Sequence, residues 1–168
     1  MVNITRFIKH LLLPDWLVRV RFKKMQMQQI AEAITASEKL HDGEIRFAVE
    51  ASLPLTYLLK NHTARDRALD VFSRLRIWDT EYNNGVLIYF LLADKDFEII
   101  VDRGLYAKFN PKVWQAIAQS MEQHCKGGDF TGAVLVGILT VTQLQIQHFP
   151  NSGKTANELS DTPVIVSS

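Results

Sequence analysis

The sequence predicts an α/β domain, and three observations carry that expectation. Residues 44–50 alternate strictly between polar and apolar, residues 86–93 form a continuous apolar run, and helix-spaced apolar stripes lie before, between and after them. The 168 residues carry 19 basic and 18 acidic side chains, a net charge of +1, and 47% are hydrophobic, which describes one globular domain able to bury its own core. The near-neutral balance argues against a nucleic-acid partner, whose binding would rest on a basic surface neutralising phosphates. Charged residues at 22% and aromatic ones at 10% likewise argue against a mostly disordered chain.

Residues 1–24 read as a basic, aromatic arm. Arg6, Lys9, Arg19, Arg21, Lys23 and Lys24 face only Asp15, with Phe7, Ile8, Leu11, Leu12, Trp16 and Phe22 interleaved. The expectation is that these apolar residues fold back over the core while the charges stay solvated. The alternative is contact with a protein partner or, peripherally, with an anionic membrane through residues 6–24. Lys9 and His10 break the apolar run, and no small-x-small cleavage pattern follows, so no export signal is read. No uninterrupted apolar run reaches the roughly 18 residues that cross a bilayer as a helix.

Residues 25–149 form the expected domain. A first helix spans 25–40 on the stripe Met27, Ile30, Ala31, Ile34 and Leu40. His41-Asp42-Gly43 stops it, with Gly43 assigned the positive φ of a helix end or tight turn. The strand at 44–50 places Ile45, Phe47 and Val49 on one face and is expected to be half-buried. After a loop containing Pro54, Ala64, Ala68, Phe72 and Leu75 trace a helix to residue 78, with Asp70 and Arg74 as an exposed pair. A polar break at 79–85 leads into the central strand 86–93, apolar on both faces. Asp94-Lys95-Asp96 turns the chain into a strand at 97–102, giving an antiparallel hairpin.

Asn110-Pro111 offers an N-cap followed by proline at the first helical position, and that helix runs to Cys125. Cys125 shares a stripe with Val113, Ile117 and Met121, so it reads as a buried structural thiol; as the only cysteine it rules out a disulfide within the chain. Gly127-Gly128 ends the helix and Asp129 caps the next, whose stripe is Phe130, Val134, Gly137, Val141 and Leu144. Gly132 and Gly137 inside it predict close packing. Residues 150–168 are expected to be a flexible tail, with docking of the apolar segment 163–166 on a sheet edge as the alternative. His10, His41, His62, His124 and His148 are scattered and are expected at surface or capping positions.

This order of elements, with Asn83-Asn-Gly-Val-Leu-Ile88 opening a strand, Asp102-Arg-Gly-Leu105 after the hairpin and Gly128-Asp-Phe130 starting a glycine-containing helix, resembles the TPM domain family over residues 28–147. The resemblance implies a Rossmann-like α/β/α sandwich, a small mixed β-sheet flanked by helices. It also implies a choice of activities, because members of this family have been proposed as acid phosphatases, some bind calcium, and a thylakoid-lumen member takes part in photosystem repair. Most members carry a signal peptide and a membrane anchor. The arm and tail here match neither, which points to a cytoplasmic variant. Asp102-Arg-Gly104 replaces the family's glycine-tyrosine-glycine style loop, so a ligand held there in relatives would meet a charged version here.

Two polar groups are candidate sites. If strands 44–50 and 86–93 run parallel, their carboxyl ends carry Glu50, Ser52, Asp94 and Asp96, and the helix pair returns Asp129 to the same edge. Asp94, Asp96, Asp129 and Glu50 are thus the leading ligands for a divalent cation, since converging carboxylates supply the hard oxygens that calcium or magnesium takes. The second group lies roughly 25 Å away along the sheet. There Asp79, Asn83, Asn84, Asp102 and Arg103 would hold a cation or, through Arg103, a phosphate. Asp94, Asp96, Asn83 and Asn84 also suit turns, and Asp129 a helix cap. The expected function is a TPM-like domain that binds a divalent cation, foremost calcium, with weak metal-dependent phosphatase activity implied by the resemblance alone. The alternative is a noncatalytic interaction or assembly module that uses the basic arm. No catalytic residue is assigned.

Overall fold

A computed structural model describes residues 4–153 and 157–167. The elements in chain order are α1 (Ile4–Leu11), α2 (Trp16–Arg21), α3 (Lys24–Glu38), β1 (Ile45–Glu50), α4 (Leu55–Leu59), α5 (Ala64–Arg74), β2 (Val86–Leu91), β3 (Asp96–Val101), α6 (Arg103–Tyr106), α7 (Pro111–Cys125), α8 (Phe130–His148) and β4 (Val164–Val166). The four strands form one mixed sheet in the order β3-β2-β1-β4. β1 runs parallel to β2, from Ile45 opposite Val86 to Glu50 opposite Leu91. β2 and β3 make the expected antiparallel hairpin, with Lys95 in its turn at φ +54°.

Helices cover both faces, giving an α/β/α sandwich. Ile45, Phe47, Val49, Val86, Ile88 and Phe90 point into one core with α3, α7 and α8. Ala48, Leu87, Tyr89, Leu91 and Ile100 point into the other, against α4 and α5. Alternation with a period of two assigns each strand residue to one of these cores. β1 is buried along its whole length and not half-buried as expected, because it lies between β2 and β4 with helices on both sides. Its polar residues Arg46 and Glu50 therefore point into the second layer and not to solvent.

The caps follow the sequence. Asn110 Oδ1 accepts from the Lys112 amide at 2.9 Å and Asp129 Oδ1 from the Gly132 amide at 2.8 Å. A Cβ on Gly137 would lie 2.5 Å from Met121 Sδ, so that glycine lets α7 and α8 approach closely. α8 is long and apolar enough by length and composition to cross a membrane, but here it buries Ala133, Val134, Ile138 and Val141 against α3 and α7.

Gly43 is required for a different reason than expected. It is absent from the positive-φ positions; instead a Cβ there would lie 2.2 Å from the buried Gln145 side chain. Of the surface or capping positions expected for the histidines, His10 and His41 take no surface one: both are buried. His41 Nδ1 accepts from the Gly43 amide at 3.0 Å, which leaves Nε2 to donate to Ser37 Oγ at 2.8 Å. Ser37 in turn meets Thr142 Oγ1 at 2.6 Å, and Thr142 donates to the Ile138 carbonyl at 2.7 Å, a relay that ties α3 to α8. Burial pushes the His41 imidazole down to about 4, so the ring is neutral in this relay.

The arm divides its apolar residues. Val18 and Phe22 belong to the first core and Phe7 packs on the second, whereas Ile8, Leu11, Leu12 and Trp16, expected over the core, stay exposed. The described part of the tail is attached. Its segment Val164–Val166 pairs parallel to β1, and Glu158 and Leu159 donate their amides to the Glu44 carboxylate, each at 3.1 Å. Edge docking was anticipated; the carboxylate clasp that fixes the preceding loop was not.

Candidate functional site

Glu50, Asp94 and Asp96 of the first group lie at the carboxyl ends of β1 and β2, but each has separate surroundings. Glu50 is fully buried, and its two oxygens accept from Arg67 Nη2 at 2.8 Å and Nε at 2.9 Å, with Tyr89 Oη a third donor at 2.7 Å. Burial alone would lower the Arg67 pKa, yet the bonds and charge of Glu50 outweigh it and hold the guanidinium above its ordinary value. Asp94 is taken by the arm: Oδ2 accepts from Arg6 Nε at 3.0 Å, and Oδ1 meets His10 Nε2 at 3.0 Å. His10 Nδ1 accepts the Leu53 amide at 2.9 Å, so Nε2 is the nitrogen that carries the proton toward Asp94.

Asp129 caps α8 from an exposed position. Asp96 faces other acids. Burial first, and then Glu98, Glu122 and Asp94, push it up to about 7. It lines a groove of about 570 Å³ between β3, α5 and α7 together with Trp114. Among the described residues no cluster of three or more histidine, cysteine, aspartate or glutamate side chains is arranged to hold a metal. The sequence reasoning missed Arg67, Arg6 and His10 as the partners of this group, because each lies far along the chain from the carboxylate it binds.

The second group sits at the opposite end of the sheet, where β2 begins and β3 ends. Asn83 takes a left-handed conformation at φ +51°, which asparagine tolerates, and its Oδ1 accepts from Arg103 Nε at 3.0 Å. The Asp102 and Gly104 amides bond the Gly85 and Asn83 carbonyls at 2.9 and 2.8 Å, closing the hairpin onto the polar break. A Cβ on Gly104 would lie 2.5 to 2.6 Å from the Asn83 and Tyr82 carbonyl oxygens, so only glycine fits there. Asp102 Oδ1 caps α6 by accepting from the Arg103 amide at 2.7 Å. Asp79 is apart from this arrangement, exposed and paired with Arg76 at 2.7 Å.

What distinguishes this end is a set of buried acceptors without donors. Asp102 Oδ2, Asn84 Oδ1 and Gln145 Oε1 are all buried and have no hydrogen-bond partner among the described residues. Asn84 donates through Nδ2 to the Asp42 carbonyl at 2.9 Å, and its own carbonyl accepts from Gln145 Nε2 at 2.8 Å. Both amide nitrogens are thus engaged and the amide oxygens are left over. Buried oxygens in that state call for a donor or a cation, since an unsatisfied polar group costs about 1–3 kcal/mol. A carboxylate and two amide oxygens are the hard donors that calcium and magnesium accept, so these residues fit a divalent cation by chemistry.

Asp42 also lines a neighbouring cavity of about 380 Å³ together with Glu38, His41, Gly43 and Asp161. Burial pushes Glu38 up to about 9, against the lowering effect of the Ile45 amide bonded to its Oε1 at 2.9 Å, so this acid is protonated at neutral pH. Cys125 is buried as expected, and burial raises its thiol to about 11.

The NMR structure of the BA42 protein from the psychrophilic bacterium Bizionia argentinensis is similar over 84% of this chain and 93% of that one, at 29% identity and a TM-score of 0.74. The solution structure of the N-terminal domain of a P. gingivalis protein is similar over 83% and 94%, at 15% identity and a TM-score of 0.61, a likeness of fold alone. No curated protein matches the chain. A family model described as the TPM domain matches residues 21–144, from the end of α2 through most of α8, and the chain belongs to that family.

Proposed function

We propose that this TPM domain binds a divalent cation, with calcium foremost, at the second polar group, where Asp102, Asn84 and Gln145 supply oxygens. The observation that carries the reading is the buried, unpartnered Oδ2 of Asp102 with Asn84 Oδ1 unpartnered at the same end of the sheet. The first group is the weaker alternative, because Arg67, Tyr89, Arg6 and His10 already satisfy Glu50 and Asp94. Beside such an ion, Arg103 is the exposed cation able to receive a phosphate oxygen. A bound ion would supply charge stabilisation and a more acidic water, the requirements of phosphate-ester hydrolysis.

Calorimetric titration of the metal-stripped protein with calcium and with magnesium tests this. Saturable binding is expected, weakened at least tenfold by Asp102→Asn and unchanged by Asp94→Asn or Asp129→Asn. Retained affinity in Asp102→Asn would falsify the assignment, and loss in Asp94→Asn would return it to the first group. Hydrolysis of p-nitrophenyl phosphate that requires the ion and falls in Arg103→Gln is the outcome that makes the domain a phosphatase. Binding without hydrolysis makes it a cation-clipped module.

A further inference from the structure

The arm presents an apolar ridge that no other part of the described residues covers. Ile4, Ile8 and Leu11 on the outward side of α1 and Leu12 just past its end are 72%, 49%, 67% and 74% exposed. α2 carries its own exposed apolar pair, Trp16 and Val20, one turn apart. The opposite side of the arm is fixed to the domain. Arg6 and His10 hold Asp94, His10 accepts the Leu53 amide, and Val18 and Phe22 enter the core. The ridge is therefore held outward by a clamped helix pair, which separates it from the singly scattered apolar residues that every surface carries.

Charge is arranged around it. Residues 1–24 hold six basic side chains and one acidic, leaving 13 basic against 17 acidic in the remaining 144 residues. Arg6 turns inward to Asp94, but Lys9, Arg19, Arg21, Lys23 and Lys24 are exposed. A cationic segment on an otherwise acidic domain, carrying protruding leucine, isoleucine and tryptophan side chains, matches the requirements of an in-plane membrane contact. The apolar chains enter the acyl boundary, the tryptophan sits at headgroup level and the lysines and arginines meet anionic lipid. The residues lining the two cavities described above include none from the arm.

We propose that the outward side of α1 and α2 seats this domain on anionic lipid bilayers. The inference is independent of the cation site, which lies at the other end of the sheet.

The test is flotation of the full chain with phosphatidylcholine vesicles that contain phosphatidylglycerol, and with pure phosphatidylcholine vesicles, at low and high salt. Binding to the anionic vesicles is expected, weakened by salt, with a blue shift of tryptophan emission that Trp16→Phe removes. Ile8→Glu with Leu12→Glu should abolish it while leaving the melting temperature in place, because both side chains are exposed. Arg19→Gln with Lys23→Gln should weaken it roughly tenfold or more, since each basic residue near the surface contributes about fivefold. The second pair keeps the test decisive if the first perturbs folding. No flotation at low salt, equal flotation with neutral vesicles, or undiminished binding by either pair would overturn the proposal. So would sedimentation as a dimer that Leu12→Glu dissociates, since a second copy would then be the occupant.

Discussion

Arg67 grips the Glu50 carboxylate with two nitrogens, at 2.8 and 2.9 Å, inside the layer between β1 and α5. The pair is bidentate and nearly without solvent, and Tyr89 satisfies the same carboxylate from the neighbouring strand. Such a pair gains little over a well-packed apolar replacement but is costly to break, because the survivor is left as an uncompensated buried charge.

Arg67→Met should therefore lower the unfolding free energy by about 3–5 kcal/mol. Glu50→Leu together with Arg67→Met should recover most of that loss. Urea denaturation of the two single variants and the double variant measures the coupling. Additive losses across the cycle would show that the two residues act independently.

This pair marks the limit of what the sequence discloses. β1, β2, the hairpin and the caps at Asn110 and Asp129 were legible because each is written in a short window: a period of two, a continuous apolar run, a side chain three residues from the amide it satisfies. The direction of β1 relative to β2 was legible too, as the consequence of a helical crossover. Glu50 looked like a ligand because its real partner lies 17 residues on, across a layer the sequence does not describe. Asp94 misled for the same reason, with partners 84 and 88 residues away. At the second group the turn chemistry of Asn83 and Asn84 was legible, but Gln145 became visible only when α8 was laid beside β1.

Asp94 links the arm to acid stability. Burial would raise its carboxyl, but the hydrogen bonds from His10 and Arg6 prevail and hold it at about 2, below the ordinary 3.8. A group depressed in the folded state contributes stability that is complete above the unfolded pKa and is lost as pH falls through the folded value. The arm's attachment is thus expected to contribute about 2 kcal/mol at neutral pH and to fade between roughly pH 4 and 2. Asp94→Asn should remove that acid dependence and expose the arm to limited proteolysis. Unchanged cleavage in this variant would mean that the core contacts of Val18 and Phe22 hold the arm unaided.

Asp96 has the opposite sign. Its carboxyl is raised to about 7 by burial and by Glu98, Glu122 and Asp94, so the folded state keeps a proton that the unfolded chain releases near 3.8. Stability should fall as pH rises from about 4 to 7 and then level off. Asp96→Asn should flatten that limb and raise the melting temperature at pH 8, because it removes one of several facing negative charges. A melting temperature that falls on this substitution would indicate that the carboxylate is neutralised by a bound cation, and would reopen the first polar group as a metal site.

Gly43 connects packing to the proposed function. An alanine Cβ at this position would lie 2.2 Å from Gln145 Cδ, and Gln145 has no exposed surface into which to swing. It would have to retreat within α8 and give up its 2.8 Å bond to the Asn84 carbonyl. Gly43→Ala should therefore destabilise the fold by about 1–3 kcal/mol, the cost of overpacking a full interior. Gln145→Ala in the same chain should relieve the clash, since the side chain that blocks Cβ is then gone. Calcium titration separates the two effects: Gly43→Ala alone displaces Gln145 and should weaken binding. The double variant should regain stability without regaining affinity, because Gln145 Oε1 is one of the three oxygens assigned to the ion. Affinity that returns along with stability would remove Gln145 from the ligand set and leave the cation to Asp102 and Asn84.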